Sequence, residues 1–296
     1  MRNIICPVCS QGLTVNESGK SAICSQGHLF DFSKYGYLNL LLSQQKKSKS
    51  PGDTNEMVAA RRDFLNEGYY EGLADKFISL ATRILSSPSS PSPHSKVASQ
   101  ELNYLDIACG EGYYTERLHQ TLTKSFEVNG VKVTTTGLDI STPAIKAATK
   151  RSKEIQWLIS TAANIPVAPA SQDLASSLFC RVDFEQAALV LKPGGAFIVA
   201  RTGNTHLLEL REVLYSSLRE ENTAQEPVEQ HTLALLDTIT YSQQTTVNSQ
   251  ELLFKLLQMT PHYWRATEEA KLELKNLSRL TLTLHVEFDI YQKQEN

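Results

Sequence analysis

The sequence predicts an α/β fold: a mostly parallel sheet of seven strands flanked by helices, preceded by a small metal-binding module. Three observations carry this reading. An apolar run ending at Asp106 meets a glycine-bearing turn, Gly110-Glu-Gly112, and then a stretch with helical spacing at Tyr114, Leu118 and Leu122. Two further strand signals follow at βα-unit spacing, one in residues 133–140 and one after Leu191-Lys-Pro-Gly-Gly195. Four Cys and His residues cluster within the first 28 positions.

The metal module comes first. Cys6-x2-Cys9 and Cys24-x3-His28 are two short chelating loops separated by a hairpin-sized gap. That spacing predicts a tetrahedral Cys3His zinc site. Four protein ligands close the coordination sphere, so the zinc is structural. Residues 13–15 and 21–23 are expected to pair as strands. Residues 1–40 bury too little apolar surface to fold alone, so metal binding supplies much of their folding free energy. The module and the rest of the chain are expected to have separate cores, so that chelation spares ligand binding elsewhere.

Residues 41–100 read as a connecting region. Residues 39–53 are polar and basic, a mobile loop. Residues 54–85 carry helical periodicity, with Met57, Ala60 and Phe64, then Leu73, Phe77, Leu80 and Ile84, broken at Gly68. Residues 86–100 (SSPSSPSPHSKVASQ) have the composition of a disordered linker. Arg61 and Arg62 are candidates for phosphate contacts, but one of them is expected instead to pair with Asp53 or Glu56.

Residues 101–296 form the main domain. Residues 124–131 are read as a loop, 133–140 as the second strand, 154–159 as the third, 174–180 as the fourth and 196–200 as the fifth. Residues 206–218 and 251–257 are read as helices. Residues 219–249 are polar and give no clear pattern. Residues 280–291 (LTLTLHVEFDIY) largely alternate, as one long strand or an antiparallel pair. Trp264 is expected to pack. Cys109 and Cys180 lack chelating neighbours and read as ordinary residues, not nucleophiles.

The turn at 106–112 has the form D-x-[GA]-C-G-x-G, without the last glycine of a dinucleotide fingerprint. Its glycines let the backbone approach a ligand, and Asp106 suits a cationic amino-acid end rather than a pyrophosphate. S-adenosylmethionine is such a ligand. Asp139 is a second acidic strand end, placed to take ribose hydroxyls. Ser141 or Thr142 caps the following helix, with Pro143 near its first turn. These pieces in sequence indicate a Rossmann-like methyltransferase.

Composition narrows the partners. The net charge is −3, yet residues 1–62 hold eight Lys/Arg against four Asp/Glu, net +4 against −7 for the remainder. A basic N-terminal quarter on an acidic body marks the end that meets nucleic acid. No run approaches the roughly 20 apolar residues of a membrane span. The start of the chain lacks a signal-peptide apolar region, and a cytoplasmic location is expected.

With these residues in hand, the chain resembles the bacterial 23S ribosomal RNA (guanine-N1)-methyltransferases of the RlmA type. The likeness rests on CPVC…CSQGHLFD, YGYLNLL, PGDTNEMVAARRDFLNEGYYEGL, DIACGEGYYT, LDIS with AIKAATKR, LKPGG, THLLELR and LLQMTPHYWRA. It spans nearly the whole chain. It implies a class I methyltransferase fold, methylation of guanine N1 in a hairpin loop of 23S RNA, and a zinc module that grips the RNA. It implies Cys6, Cys9, Cys24 and His28 as zinc ligands, and Tyr70, Glu111, Gly112 and His206 at the S-adenosylmethionine pocket. The fold adds Asp106, Gly110, Asp139 and Asn164, the last reaching towards adenine. The chain has Ala108 where relatives place glycine, a change expected to be mild if φ is negative. It has Ser177-Leu-Phe-Cys-Arg181 where the resemblance implies an R-I-Y-A-P-like motif beside the transferred methyl group.

No general base is assigned. Phe179 and Arg181 are the candidates for the catalytic face, Phe179 as a base-stacking platform or as core packing, Arg181 as a contact to base or phosphate. Two other functional readings stand beside this one. The first is a non-catalytic RNA-binding or assembly factor that retains the fold. The second is a small-molecule methyltransferase, which leaves the zinc module unexplained. A homodimer is left open.

Overall fold

The computed structural model describes residues 1–46, 48–86, 101–216 and 232–294. The expected disordered linker therefore falls mainly on residues outside the described ones.

The chain opens with β1 (Thr14–Val15), β2 (Ser21–Ile23) and β3 (Leu29–Asp31), an antiparallel sheet with Thr14 opposite Ile23 and Ala22 opposite Phe30. The β1–β2 turn is held by Asn16, whose Oδ1 accepts from the Ser18 hydroxyl at 2.9 Å and the Ser21 amide at 3.2 Å. β4 (Leu38–Asn39) leaves this module and adds in parallel to the main sheet, Leu38 opposite Leu158.

Two helices follow. α1 (Asn55–Asn66) is capped by Thr54, whose hydroxyl accepts from Met57 N at 3.3 Å. α2 (Glu71–Ser86) buries Leu73, Phe77 and Leu80 along one face, as their spacing of three and four requires. The main domain then runs β5 (Glu101–Ile107), α3 (Tyr113–Phe126), β6 (Lys132–Asp139), α4 (Thr142–Arg151), β7 (Gln156–Ile159), β8 (Gln172–Leu178), α5 (Phe184–Val190) and β9 (Leu191–Thr202). It ends with α6 (Leu208–Leu214), β10 (Leu233–Val247), α7 (Gln250–Gln258), α8 (His262–Arg265), α9 (Glu268–Asn276) and β11 (Leu280–Lys293).

The sheet order is β10-β11-β9-β8-β5-β6-β7-β4. All pairs from β9 to β4 are parallel, and β11 lies antiparallel to both β9 and β10. The seven expected strands are thus joined by an eighth, because the module's exit segment covers the free edge of β7. The chain runs from β5 outward to β7, then crosses back past β5 to β8. That reversal opens a crevice at the carboxyl ends of β5 and β8, where ligands bind in folds of this kind.

The strands of β5 alternate between two cores. Leu102 and Tyr104 face one that includes Phe77, Leu118 and Phe288. Leu105 and Ile107 face the other, which also contains Ile4, Cys6, Leu13, Ala22, Cys24, Leu38 and Leu40. The expectation of separate cores is therefore overturned: Cys6 and Cys24, two of the expected zinc ligands, are buried in the same apolar cluster as the central strands. Ile5 N donates to Pro166 O at 3.0 Å and Ala168 N to Asn3 O at 2.7 Å, which ties the seam with backbone bonds.

Other departures have local causes. Residues 124–126 continue α3 because Phe126 extends the buried stripe of Leu118 and Leu122. Residues 39–53 include β4's end and a short 3-10 turn, Ser43–Gln45. The expected helix at 206–218 shrinks to α6, since residues 203–207 form a turn bonded to β11 through Gly203 N and Leu207 N. The patternless stretch before Ser249 contains β10, fifteen residues long and paired along its length with β11, which is one strand and not a pair.

Candidate active site and metal centre

Asp106 ends β5 and is 1% exposed. Its carboxylate accepts from Thr115 Oγ1 on α3 at 2.6 Å and from Ser176 Oγ on β8 at 2.8 Å. Tyr104 OH lies 2.8 Å from the same Ser176 hydroxyl. Burial, with a smaller push from Asp139, raises the Asp106 pKa to about 6, against the pull of the two hydroxyl donors. Asp106 thus braces the β5 turn from behind. Ser176 and Thr115 were not singled out in the sequence, although two serines inside a central apolar strand are a readable oddity.

Asp139 ends β6 and is half-buried. One carboxylate oxygen accepts from Gly110 N at 2.9 Å and the other from Ser141 N at 2.7 Å. Burial raises its pKa, opposed by those two amides. Each oxygen keeps a lone pair. Ser141 is the helix cap, its hydroxyl accepting from Ala144 N at 3.2 Å.

The turn between them is left-handed at three positions: Ala108 (φ 61), Gly110 (φ 57) and Gly112 (φ 85). The condition for a mild change at Ala108, a negative φ, is therefore not met. The turn needs that geometry whatever residue occupies it, and an L-residue there costs about 1–2 kcal/mol. A Cβ on Gly112 would lie 2.7 Å from the Trp157 ring, so this glycine is required by packing. Around Gly110 the space where a Cβ would point is open. Glu111 turns away from the crevice: it is 2% exposed and makes a two-pronged ion pair with Arg151 at 2.5 and 2.9 Å. Its backbone carbonyl also accepts from Arg151 Nε at 3.2 Å.

The outer wall is aromatic. The buried Tyr70 ring meets His206 edge-on at 6.5 Å, and Phe179 stacks against His206 at 6.3 Å. Phe179 is 37% exposed and itself left-handed (φ 60), as is Leu207 beside His206 (φ 50). Such strained positions cluster at functional sites. Burial lowers the His206 pKa to about 4. Its Nδ1 accepts from the His285 amide at 3.2 Å, so the neutral ring carries its proton on Nε2 and offers a donor. Asn164 lies beyond β7, its amide bonded to Thr161 O at 3.2 Å. Arg181 is exposed.

Arg61 pairs with Asp53 at 3.0 Å, as the sequence suggests, and also reaches Met259 O at 3.2 Å. Trp264 departs from expectation: it is 67% exposed, with an edge contact to Tyr263 at 5.1 Å. Four-residue α8 is too short to turn that face inward.

The metal centre is compact. The ligand atoms of Cys6, Cys9, Cys24 and His28 all lie within 4.8 Å of one another. Cys9 and Cys24 sulfurs are 3.6 Å apart, and His28 Nδ1 is 3.3 Å from Cys24 and 3.6 Å from Cys6. Tetrahedral zinc with Zn–S near 2.3 Å separates its sulfurs by roughly 3.8 Å, so the donor set fits. Burial opposes ionisation of Cys24, but backbone donors at His28 and Gln26 outweigh it and bring the thiol to about 6. All five cysteines are free thiols, so none of the three cysteine ligands is taken up in a disulfide. Burial raises the Cys109 thiol, consistent with an inert residue.

Two family profiles match the chain. A zinc-ribbon family described as RlmA, N-terminal, covers residues 4–49, and a family described as methyltransferase domain covers residues 98–267. YxjB of Bacillus subtilis (strain 168), named provisionally as a 23S rRNA (guanine-N(1)-)-methyltransferase, is 28% identical over 292 residues, 97% of this chain and 96% of its own length. The 23S rRNA (guanine(748)-N(1))-methyltransferase of Streptomyces fradiae is 27% identical over 215 residues, 72% of this chain and 68% of its own. Among solved structures, the YcgJ protein of Bacillus subtilis aligns with 68% of this chain and 96% of its own, at 14% identity and a TM-score of 0.40. The chain belongs to the methyltransferase-domain family, in a class I arrangement preceded by a zinc ribbon of the RlmA N-terminal type.

Proposed function

We propose that this protein transfers a methyl group from S-adenosylmethionine to N1 of a guanine in a hairpin loop of 23S ribosomal RNA. One observation carries the reading: a closed Cys3His site and an acid-rimmed crevice at the sheet's switch point share one apolar core. Relatives similar to this chain over 97% and 72% of its length are named for that reaction.

The crevice suits the cofactor. The Gly110 turn has room for close backbone approach, Asp139 has lone pairs for ribose hydroxyls, and Asp106 sets negative charge behind the turn. Tyr70, Gly112, the Glu111 backbone and His206 complete the pocket, with Asn164 on the adenine side. When bound, S-adenosylmethionine supplies an electrophilic sulfonium methyl group. The chain positions the partners and excludes water. His206 donates through Nε2 and does not act as a base, because its other nitrogen is already an acceptor. Phe179 on the rim gives a flipped guanine a face to stack on, and Arg181 offers a cation beside it. Trp264 offers a second exposed aromatic face for RNA. The basic N-terminal quarter draws the RNA in. No helix among the described residues is long and apolar enough to cross a membrane, and a ribosomal RNA substrate supports a cytoplasmic reading.

The test is incubation of the purified, zinc-loaded protein with labelled cofactor and unmodified 23S RNA, followed by nucleoside mapping. Label is expected at one guanine N1. Cofactor binding without label on any guanine N1 would sink the assignment.

A further inference from the structure

Residues 50–54 lie between the two family matches and belong to neither. They nevertheless sit directly on the end of β6. Gly52 (φ 82) is packed so closely that an added Cβ would lie 2.7 Å from Ser141 Cβ and 3.0 Å from Ile140 Cγ2. Ser141 Oγ donates to the Asp53 carbonyl at 2.7 Å. Ser141 N in turn donates to Asp139 Oδ1 at 2.7 Å. The Asp53 side chain is pinned by Arg61, which also holds Met259 O. A cavity of about 260 Å³ opens under this strap, lined by Asn39, Gly52, Asp53, Ile140, Thr142 and Ile159.

The contacts form one chain of constraint. The strap fixes Ser141 by a steric stop at Gly52 and a hydrogen bond at Asp53. Ser141 fixes one of the two oxygens of Asp139. We infer that Gly52 and Asp53 are positioning residues for the cofactor, setting the Asp139 carboxylate through Ser141. The inference rests on the reading of Asp139 as the ribose ligand. It makes the pocket incomplete without a segment that the methyltransferase match omits. The strap follows β4 (Leu38–Asn39) by ten residues in sequence, so the metal module's exit strand and the pocket wall belong to one connecting stretch of chain.

The experiment compares the full-length, zinc-loaded wild type with Gly52→Ala, Ser141→Ala and Gly19→Ala. Gly19 is also left-handed (φ 70), but nothing lies within 4 Å of its Cβ position. It therefore reports backbone strain without a clash. S-adenosylhomocysteine affinity is measured by calorimetry, with KM for S-adenosylmethionine and kcat measured alongside. Gly52→Ala is expected to raise Kd and KM about tenfold with kcat within twofold. Ser141→Ala is expected to raise both severalfold, and Gly19→Ala to lower the melting temperature alone. A purely structural role would instead lower kcat with KM unchanged, and that result overturns the inference. So does wild-type affinity in both Gly52→Ala and Ser141→Ala. A wild type that binds no S-adenosylhomocysteine overturns the methyltransferase reading itself, a distinguishable failure.

Discussion

The metal module and the cofactor crevice are assembled in opposite ways. Cys6, Cys9, Cys24 and His28 lie within one short stretch, and their geometry follows from two chelating loops. The proposed crevice draws Tyr70, Asp106, Asp139, Phe179 and His206 from segments spread over about half the chain. Local chelation can be written in spacing; a long-range pocket is made only when the sheet closes. Yet the two regions lean on the same core, so the self-contained part is not independent.

The sharpest way to break that comparison is to remove the metal. Zinc binding to such sites supplies about 10–16 kcal/mol, comparable with the whole net stability of about 5–15 kcal/mol. Cys6 and Cys24 share their cluster with Leu105, Ile107 and Leu138. Chelation is therefore expected to abolish S-adenosylhomocysteine binding and to merge metal loss with unfolding in one calorimetric transition. Two transitions, with affinity intact after the first, would restore the picture of separate cores.

A second, smaller effect contrasts the buried charges. At the crevice, Asp106 has its pKa raised to about 6 by burial. The folded state then holds this proton more tightly than the unfolded chain between about pH 4 and 6. Stability from this group is present below that window and falls as pH rises through it. A two-unit shift corresponds to roughly 3 kcal/mol. Asp106→Asn is expected to flatten this slope in urea denaturation between pH 4 and 7 and to raise stability at pH 7. Cofactor affinity should fall in the same variant, which would mark Asp106 as a group kept for function at a cost in stability.

The smallest effect concerns strain. Ala108 holds a left-handed conformation in the turn that follows β5. Ala108→Gly relieves about 1–2 kcal/mol of strain but frees the unfolded chain by about 0.5–1 kcal/mol. A net gain of about 0.5–1 kcal/mol is expected in denaturant midpoints. A loss would show that the Ala108 methyl group packs more usefully than its backbone suffers.

The parts legible in the sequence were those whose physics is local. The β5 turn, the Ser141 cap, the α1 and α2 stripes and the zinc ligands each declare themselves within a few residues. β10 does not, because an edge strand with little burial has no reason to alternate apolar and polar side chains. β4 is two residues long and carries no pattern at all. The shared core was hidden because Leu38 and Leu40 look like any short apolar run until β7 is beside them. Glu111 is a different case: the motif does not reveal that its side chain is held by Arg151. The left-handed Ala108 shows the same limit, since the turn imposes a conformation that alanine would not choose.

The docking of Leu38 on Leu158 has a consequence for how the chain is made. The partners are 120 residues apart. At about 5–20 residues per second, the ribbon emerges some 6–24 s before the strand that receives it. During that wait, bound zinc is what keeps the early-made piece compact, and its apolar seam stays open to water or to a chaperone. Metal supply during translation, more than the finished protein's affinity for zinc, would then govern the yield of correctly joined molecules.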